Sequence, residues 1–340
     1  MTARTRYFVV ASLLVLGVGL GTGLVAYYVG FPAGAFTQAG GPEELQMVPR
    51  DATVIAYADV RDVMTSELRQ KLHKALPVPA DGQRELEEKT GINIETDIDR
   101  VVACLNPDPQ NTNMPAAGMV LARGRFNETK IEALMREHGA QVEEYRGKRV
   151  IVNTSAPAHS FAAAFIEPGL VSLGSTKLVR AAIDLHQSGD NPQAGLQSVT
   201  GNEEVMTLVR SLDSGNLWAV GRFDALQSQH RLPQELASRL PAISWVAVSG
   251  HVNGGLRGVL RAEARDEEAA NNLRDVVRGF LALGKLQTSG RPEVQMMMQS
   301  LELSGTGKTV ALSFAVPAEI FDIVSSMSGR TIAPKKPEIQ

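Results

Sequence analysis

The segment that most restricts this chain is "YFVVASLLVLGVGLGTGLVAYYVGF", Tyr7 to Phe31, which holds 25 residues and no charge. A helix needs about 20 apolar residues to cross a hydrocarbon core about 30 Å thick. Tyr7 at one end and Tyr27 and Tyr28 at the other stand where interfacial aromatics belong. Arg4 and Arg6 precede the segment, and no Lys or Arg follows it before Arg50. The excess of positive charge on the N-terminal side predicts residues 1–6 in the cytoplasm, a signal anchor over 7–31 and the rest of the chain across the membrane. Ala33-Gly34-Ala35, after Pro32, has the A-x-A form of a signal-peptidase site, so cleavage after Ala35 is the alternative to a retained anchor. No cysteine follows the apolar run to carry a lipid.

Within this segment Gly17 and Gly21, and likewise Gly19 and Gly23, repeat at small-xxx-small spacing. That spacing lets two membrane helices approach closely, so these four glycines are the candidate packing positions; ordinary tolerance of glycine in a membrane helix competes with that reading. They do not form G-x-G-x-x-G, and no cofactor is expected.

The net charge is −3, with a pI near 6.1. A nucleic-acid binder needs a basic stripe to neutralise phosphates, and none is visible. Cys104 is the sole cysteine, which excludes an internal disulfide and multi-cysteine zinc sites. Its setting, "DRVVACLNP", reads as a buried strand.

Along the exported part, 32–50 reads as a Gly/Pro-containing linker and 51–190 as a first α+β domain. The polar stretch 188–202 is the expected boundary, 200–326 a second α+β domain, and 327–340 a disordered tail. "ATVIAYADV" reads as a strand, and "DVMTSELRQKLHKAL" as a helix stopped by Pro77. Asn127 is expected to cap a helix ending at Gly139. Arg146-Gly147, Pro168-Gly169 and Asn253-Gly254-Gly255 mark hairpin turns. Ala269, Leu273, Val276, Val277, Phe280 and Leu283 share one face of a long amphipathic helix. Both halves run strand, helix, two strands, helix, further strands. The expected fold is therefore α+β: two related halves of largely antiparallel sheet covered by helices, preceded by one membrane helix.

"LELSGTGKTVALSF", 301–314, imitates a phosphate loop. A phosphate loop requires G-x-x-x-x-G-K-[ST] followed by a helix. Here Glu302 stands where the first glycine belongs, and Val310, Leu312, Phe314 and Val316 alternate as in a strand. Two strands joined by a Gly-Thr-Gly-Lys turn are expected, and no nucleotide.

The six histidines (His73, His138, His159, His186, His230 and His251) form no close pair or metalloprotease pattern. His73, His138 and His186 fall near helix C-termini, where the helix dipole favours a cation. There is no G-x-S-x-G elbow or S-x-x-K, although a triad of distant residues escapes any such pattern. Asp97 and Asp99 are expected on one face of a strand as solvated acids, without the pattern of a calcium loop. "QMMMQS", 295–300, reads as strand core rather than a copper site, and Trp218 and Trp245 as core anchors. No metal ligand and no catalytic residue is predicted.

At "VPRDATVIAYADVRDVMTSELRQKL", "RGRFNETKIEALMREHG" and "VSLGSTKLVRAAIDLHQSG" the chain resembles uncharacterised bacterial envelope proteins with one N-terminal membrane segment and a tandem α+β extracytoplasmic region. The resemblance covers about residues 45 to 325. It implies a single-pass inner-membrane protein with a periplasmic or other extracytoplasmic body, and it supplies no catalytic residues. The expected function is a non-enzymatic binding or scaffolding module whose partner is another envelope protein. A carrier of a lipid or other hydrophobic ligand is the alternative, with "SFAAAFIEPGLVSL" as the lining of its groove. An extracytoplasmic hydrolase is third.

Overall fold

The computed structural model describes residues 41–70, 87–107, 116–153, 160–212, 215–223, 242–287, 295 and 298–317. The expected membrane helix, with Gly17, Gly19, Gly21 and Gly23, and the tail at 327–340 lie outside these residues. Among the described residues no helix is long and apolar enough to cross a membrane.

The fold is α+β, a large antiparallel sheet with helices on its faces. Its strands are β1 (Val54–Asp59), β2 (Ile98–Pro107), β3 (Ala116–Gly124), β4 (Gln141–Tyr145), β5 (Lys148–Asn153), β6 (Phe161–Glu167), β7 (Leu170–Ser175), β8 (Leu217–Arg222), β9 (Ile243–Val252), β10 (Gly255–Ala264), β11 (Glu302–Ser304) and β12 (Thr309–Pro317). The helices are α1 (Val60–Thr65), α2 (Ile94–Asp97), α3 (Glu128–Glu137), α4 (Thr176–Ser188), α5 (Glu203–Ser211) and α6 (Glu267–Gln287).

All twelve strands form one sheet in the order β11-β12-β10-β9-β8-β1-β2-β3-β7-β6-β5-β4. Two arms therefore meet where β1 pairs antiparallel with β8. Each arm is wound alike. Outward from β1 come β2, β3, β7 and β6, and outward from β8 come β9, β10, β12 and β11. The first arm adds the hairpin of β4 and β5 at its edge. Tyr57 of β1 stacks on Trp218 of β8 across the junction, with ring centroids 5.9 Å apart.

Local chemistry fixes most of these elements. Arg146 and Gly147 both have positive φ (48° and 70°), the two-residue turn whose twist suits a hairpin. The Asn127 side chain accepts from the Lys130 N–H at 3.0 Å and starts α3, and Asn202 likewise caps α5. The helix expected over 62–76 is interrupted at Ser66. That residue is extended (φ −64°, ψ 148°), ends α1, and accepts from Arg69 N–H at 3.1 Å to begin a second helical turn. A serine inside an apolar period is thus a cap, and residues beyond 70 in this stretch lie outside the described set.

One face of the sheet, here face A, carries Ile55, Val102, Cys104, Met119, Leu121, Trp218, Val220 and Ala247. It is roofed by Leu178, Val179, Ala182 and Ile183 of α4 and by Val205, Met206 and Val209 of α5. Each fully buried Val, Leu, Ile or Met among them contributes roughly 1.5–3 kcal/mol. The opposite face B carries Ala58, Val101, Ala103, Val120, Ala122 and Val171, packed by Val60 of α1 and Ile94 of α2. Within "SFAAAFIEPGLVSL", Ala162, Ala163, Ala164, Ile166 and Leu170 have no exposed surface, while Phe161, Phe165 and Leu173 are partly exposed.

Two boundaries differ from expectation. Glu43–Met47, inside the expected linker, forms a 3-10 turn with Glu44, Leu45 and Val48 completely buried. Polar Pro42-Glu43-Glu44 disguises it, because Glu44 is buried by pairing: its Oε1 accepts from Arg123 Nε at 2.6 Å and Arg100 Nε at 2.9 Å. The polar stretch 188–202 is also not a spacer. Val199 N–H donates to Val48 carbonyl at 2.8 Å and Arg50 N–H to Gln197 carbonyl at 2.9 Å, stitching this crossing to the N-terminal turn. One sheet continues across the position where 51–190 and 200–326 were expected to part.

Candidate functional site

Helix α6 begins as an ordinary roof on face B. Ala269, Ala270 and Leu273 are buried against Ala264 and Val310, with Ala262, Ile243, Val277 and Leu303 partly buried around them. Arg274 pins this half: its Nη2 donates to the carbonyls of Gly307 at 2.8 Å and Thr309 at 2.9 Å. The helix then keeps its apolar stripe but loses its cover. Val276 is 37%, Phe280 65% and Leu283 57% exposed. These follow Leu273 at three- and four-residue steps, so they prolong the buried stripe outward. On the sheet, Leu260 is the next face-B position along β10 from the packed Ala262, and it too is 42% exposed. Scattered exposed leucines need no explanation; here the large exposed apolar side chains form a row on one element. The periodicity singled out these residues as one face; that face is buried only over the first turns.

The phosphate-loop imitation sits beside this helix. Gly305 to Lys308 turn the chain between β11 and β12, with φ of +98° at Gly305 and +57° at Gly307. A strand follows, not a helix, and two carbonyls of the turn region point to Arg274. Lys308 carbonyl accepts from Ala264 N–H at 3.0 Å, which closes the turn onto β10.

The remaining sequence candidates are separated in space. Asp97 ends helix α2 rather than lying on a strand face with Asp99. It accepts from Asn93 N–H at 2.9 Å and from Arg125 at 3.0 Å, whereas Asp99 pairs with Arg61. The Asn93 N–H, with Arg125 and Thr96 beside it, holds the Asp97 carboxyl below the ordinary carboxylate range. His138 contacts its own helix at the Leu134 carbonyl, His186 lies 3.2 Å from Glu167, and His251 stands on β9. His73, His159 and His230 fall outside the described residues. Met298 and Gln299 are helical, not strand as the 295–300 stretch suggested. Trp245 is buried and donates its indole N–H to Glu204 at 2.6 Å. Cys104 is buried, and burial pushes its thiol up to about 12, which leaves it an inert core residue. Among the described residues no group of three or more His, Cys, Asp or Glu is placed to hold a metal ion.

The largest charged cluster ties the N-terminal turn to the sheet: Glu43 and Glu44 meet Arg100 and Arg123, Arg123 reaches Glu167 at 2.9 Å, and His186 follows. Arg123 is the largest influence on Glu167 and holds its carboxyl below the ordinary range. The cluster is a chain of ion pairs that ties the N-terminal turn to β2 and β3, the pattern of a clamp.

No protein-family model matches the chain, and no curated protein matches it. Among solved structures, crystal form I of a protein designated TP0453 is similar at 10% sequence identity and a TM-score of 0.46, covering 84% of this chain and 98% of that one.

Proposed function

We propose that this chain is a membrane-tethered extracytoplasmic module that binds another envelope protein and performs no chemistry of its own. The observation that carries the reading is the uncovered apolar stripe Val276, Phe280 and Leu283 on α6, with Leu260 beside its buried root. Its inner half is fixed by Leu273 and Arg274, so the outer half is presented on a rigid base, and ordering it on binding costs little entropy. Aromatic side chains are enriched at the buried core of interfaces, and Phe280 offers one here. The uncharged run 7–31 supplies the tether, and Arg4 and Arg6 before it set the orientation.

The test is a photo-cross-linking residue at position 280 in the full chain, expressed in bacterial membranes. A discrete protein adduct that Leu283→Asp abolishes is the expected result. Adducts to lipid alone, or adducts indifferent to Leu283→Asp, overturn the reading.

A further inference from the structure

Face A is built in two chemistries. In the first arm it is apolar and roofed by α4, with Val102, Cys104, Met119 and Leu121 buried beneath. In the second arm the strands at the same places in the winding, β9, β10 and β12, carry polar groups on that face and line a cleft of about 560 Å³. The strand registers place them as a grid. His251 of β9 stands opposite Arg257 of β10, and Arg257 opposite Ala315 of β12. In the next row Ser249 stands opposite Val259, Val259 opposite Ser313, and Ser313 opposite Glu302 of β11. The Ser300 hydroxyl donates to the Ala315 carbonyl at 2.6 Å and accepts its N–H at 3.0 Å, which fixes the far wall.

Arg257 is exposed, His251 half-buried and Ser249 buried. Neither Arg257 nor His251 has a hydrogen-bond or ion-pair partner among the described residues, in contrast to the matched pairs of the first arm. Directly opposed residues on neighbouring strands have Cβ atoms about 5 Å apart. A guanidinium fork and an imidazole N–H therefore converge there, with the Ser249 and Ser313 hydroxyls in the adjoining row. That donor set fits an oxyanion: the fork matches two oxygens of a carboxylate or phosphate, and the hydroxyls serve the others. Glu302 lies two strand spacings from Val259, in the row next to Arg257 and about 12 Å from it, and repels a second negative end.

We propose that this cleft binds a small ligand, or a headgroup, through one carboxylate or phosphate group seated between Arg257 and His251. The site lies on the opposite face from the exposed stripe of α6 and does not depend on it.

The test uses the full chain in neutral detergent micelles, with inorganic phosphate and acetate as probes. Line broadening of the phosphate 31P signal, and of the acetate methyl signal, reports binding. Expected is saturable broadening that Arg257→Gln weakens about tenfold or more, as loss of a charge-assisted hydrogen bond implies, and that Arg257→Lys partly restores. Melting curves confirm that the variants fold, since Arg257 is exposed. A parallel arm measures flotation with phosphatidylcholine vesicles with and without phosphatidic acid. An Arg257-dependent gain confined to phosphatidic acid assigns the site to a lipid headgroup, and saturable free-phosphate or acetate binding assigns it to a soluble ligand. No saturable binding in any arm, or binding that Arg257→Gln leaves unchanged, overturns the proposal.

Discussion

The guanidinium of Arg274 donates to the backbone carbonyl of Gly307 at 2.8 Å. Through that bond the long helix α6 holds the turn that most resembles a nucleotide-binding loop. A phosphate-binding loop offers N–H groups to its ligand. This turn offers carbonyl oxygens to a cation of its own chain.

The two motif residues should accordingly behave in the opposite way to a phosphate loop. Gly305 has φ +98°, and a Cβ there would lie 2.4 Å from the Thr309 carbonyl oxygen. Gly305→Ala is expected to cost about 1–3 kcal/mol. Lys308→Ala, at an exposed position, should stay within about 0.5 kcal/mol of the parent. Added ATP should move neither melting temperature. Chemical denaturation checks the two substitutions, and thermal melts with and without ATP check the third expectation.

Along α6 the same apolar stripe should give contrasting stabilities. Leu273→Ala removes a buried anchor and is expected to cost about 3 kcal/mol. Phe280→Ala, 65% exposed, should change folding stability by less than about 0.5 kcal/mol. Urea unfolding of both variants measures the difference.

Glu44 has no exposed surface and accepts from both Arg100 and Arg123. Glu44→Ala takes the one fully buried carboxylate from two guanidinium groups, which keep Glu43 and, for Arg123, Glu167. A loss of about 3 kcal/mol is expected, the low end for a broken buried pair because both arginines keep some solvent and a second carboxylate. Double-mutant cycles with Arg123→Ala read the coupling directly.

Acid should weaken the fold through Asp97 and Glu167. Both are held below their ordinary values of 3.8 and 4.5, Asp97 chiefly by the Asn93 N–H and Glu167 chiefly by Arg123. A depressed carboxylate contributes stability that is present above its ordinary value and lost as pH falls through the folded one. Asp59 runs the other way: burial raises it, so its protonation offsets part of that loss. Melting temperatures between pH 6 and pH 3 should decline below about pH 4.5, and Glu167→Gln should flatten that decline.

Local rules carried the strand and hairpin pattern well. Arg146-Gly147 and Pro168-Gly169 both turn hairpins, because positive φ at the glycine suits only a few residues. What periodicity could not supply was pairing between distant segments. Polar 188–202 looks like a spacer until Val199 is seen bonded to Val48. Glu44 looks like linker until two arginines from β2 and β3 close on it. For the candidate surface, the face of α6 was legible but its exposure was not, since burial depends on where the sheet ends beneath the helix. The grid of Ser249, His251 and Arg257 left no trace in sequence, because its members adjoin only through the register of β9 and β10.

β1 lies at the centre of the sheet, bonded to β2 on one edge and β8 on the other. Tension arriving from residues 1–40 meets first the clamped turn around Glu44 and the bonds of Val48 and Arg50 to Val199 and Gln197, and then β1. A strand pulled along its length between two ladders must break many hydrogen bonds together, in shear, whereas an edge strand peels bond by bond. The chain therefore presents a strand paired on both edges to any force that comes through its N-terminal side. Force spectroscopy pulling from that end should give a higher rupture force than pulling across the β4 edge.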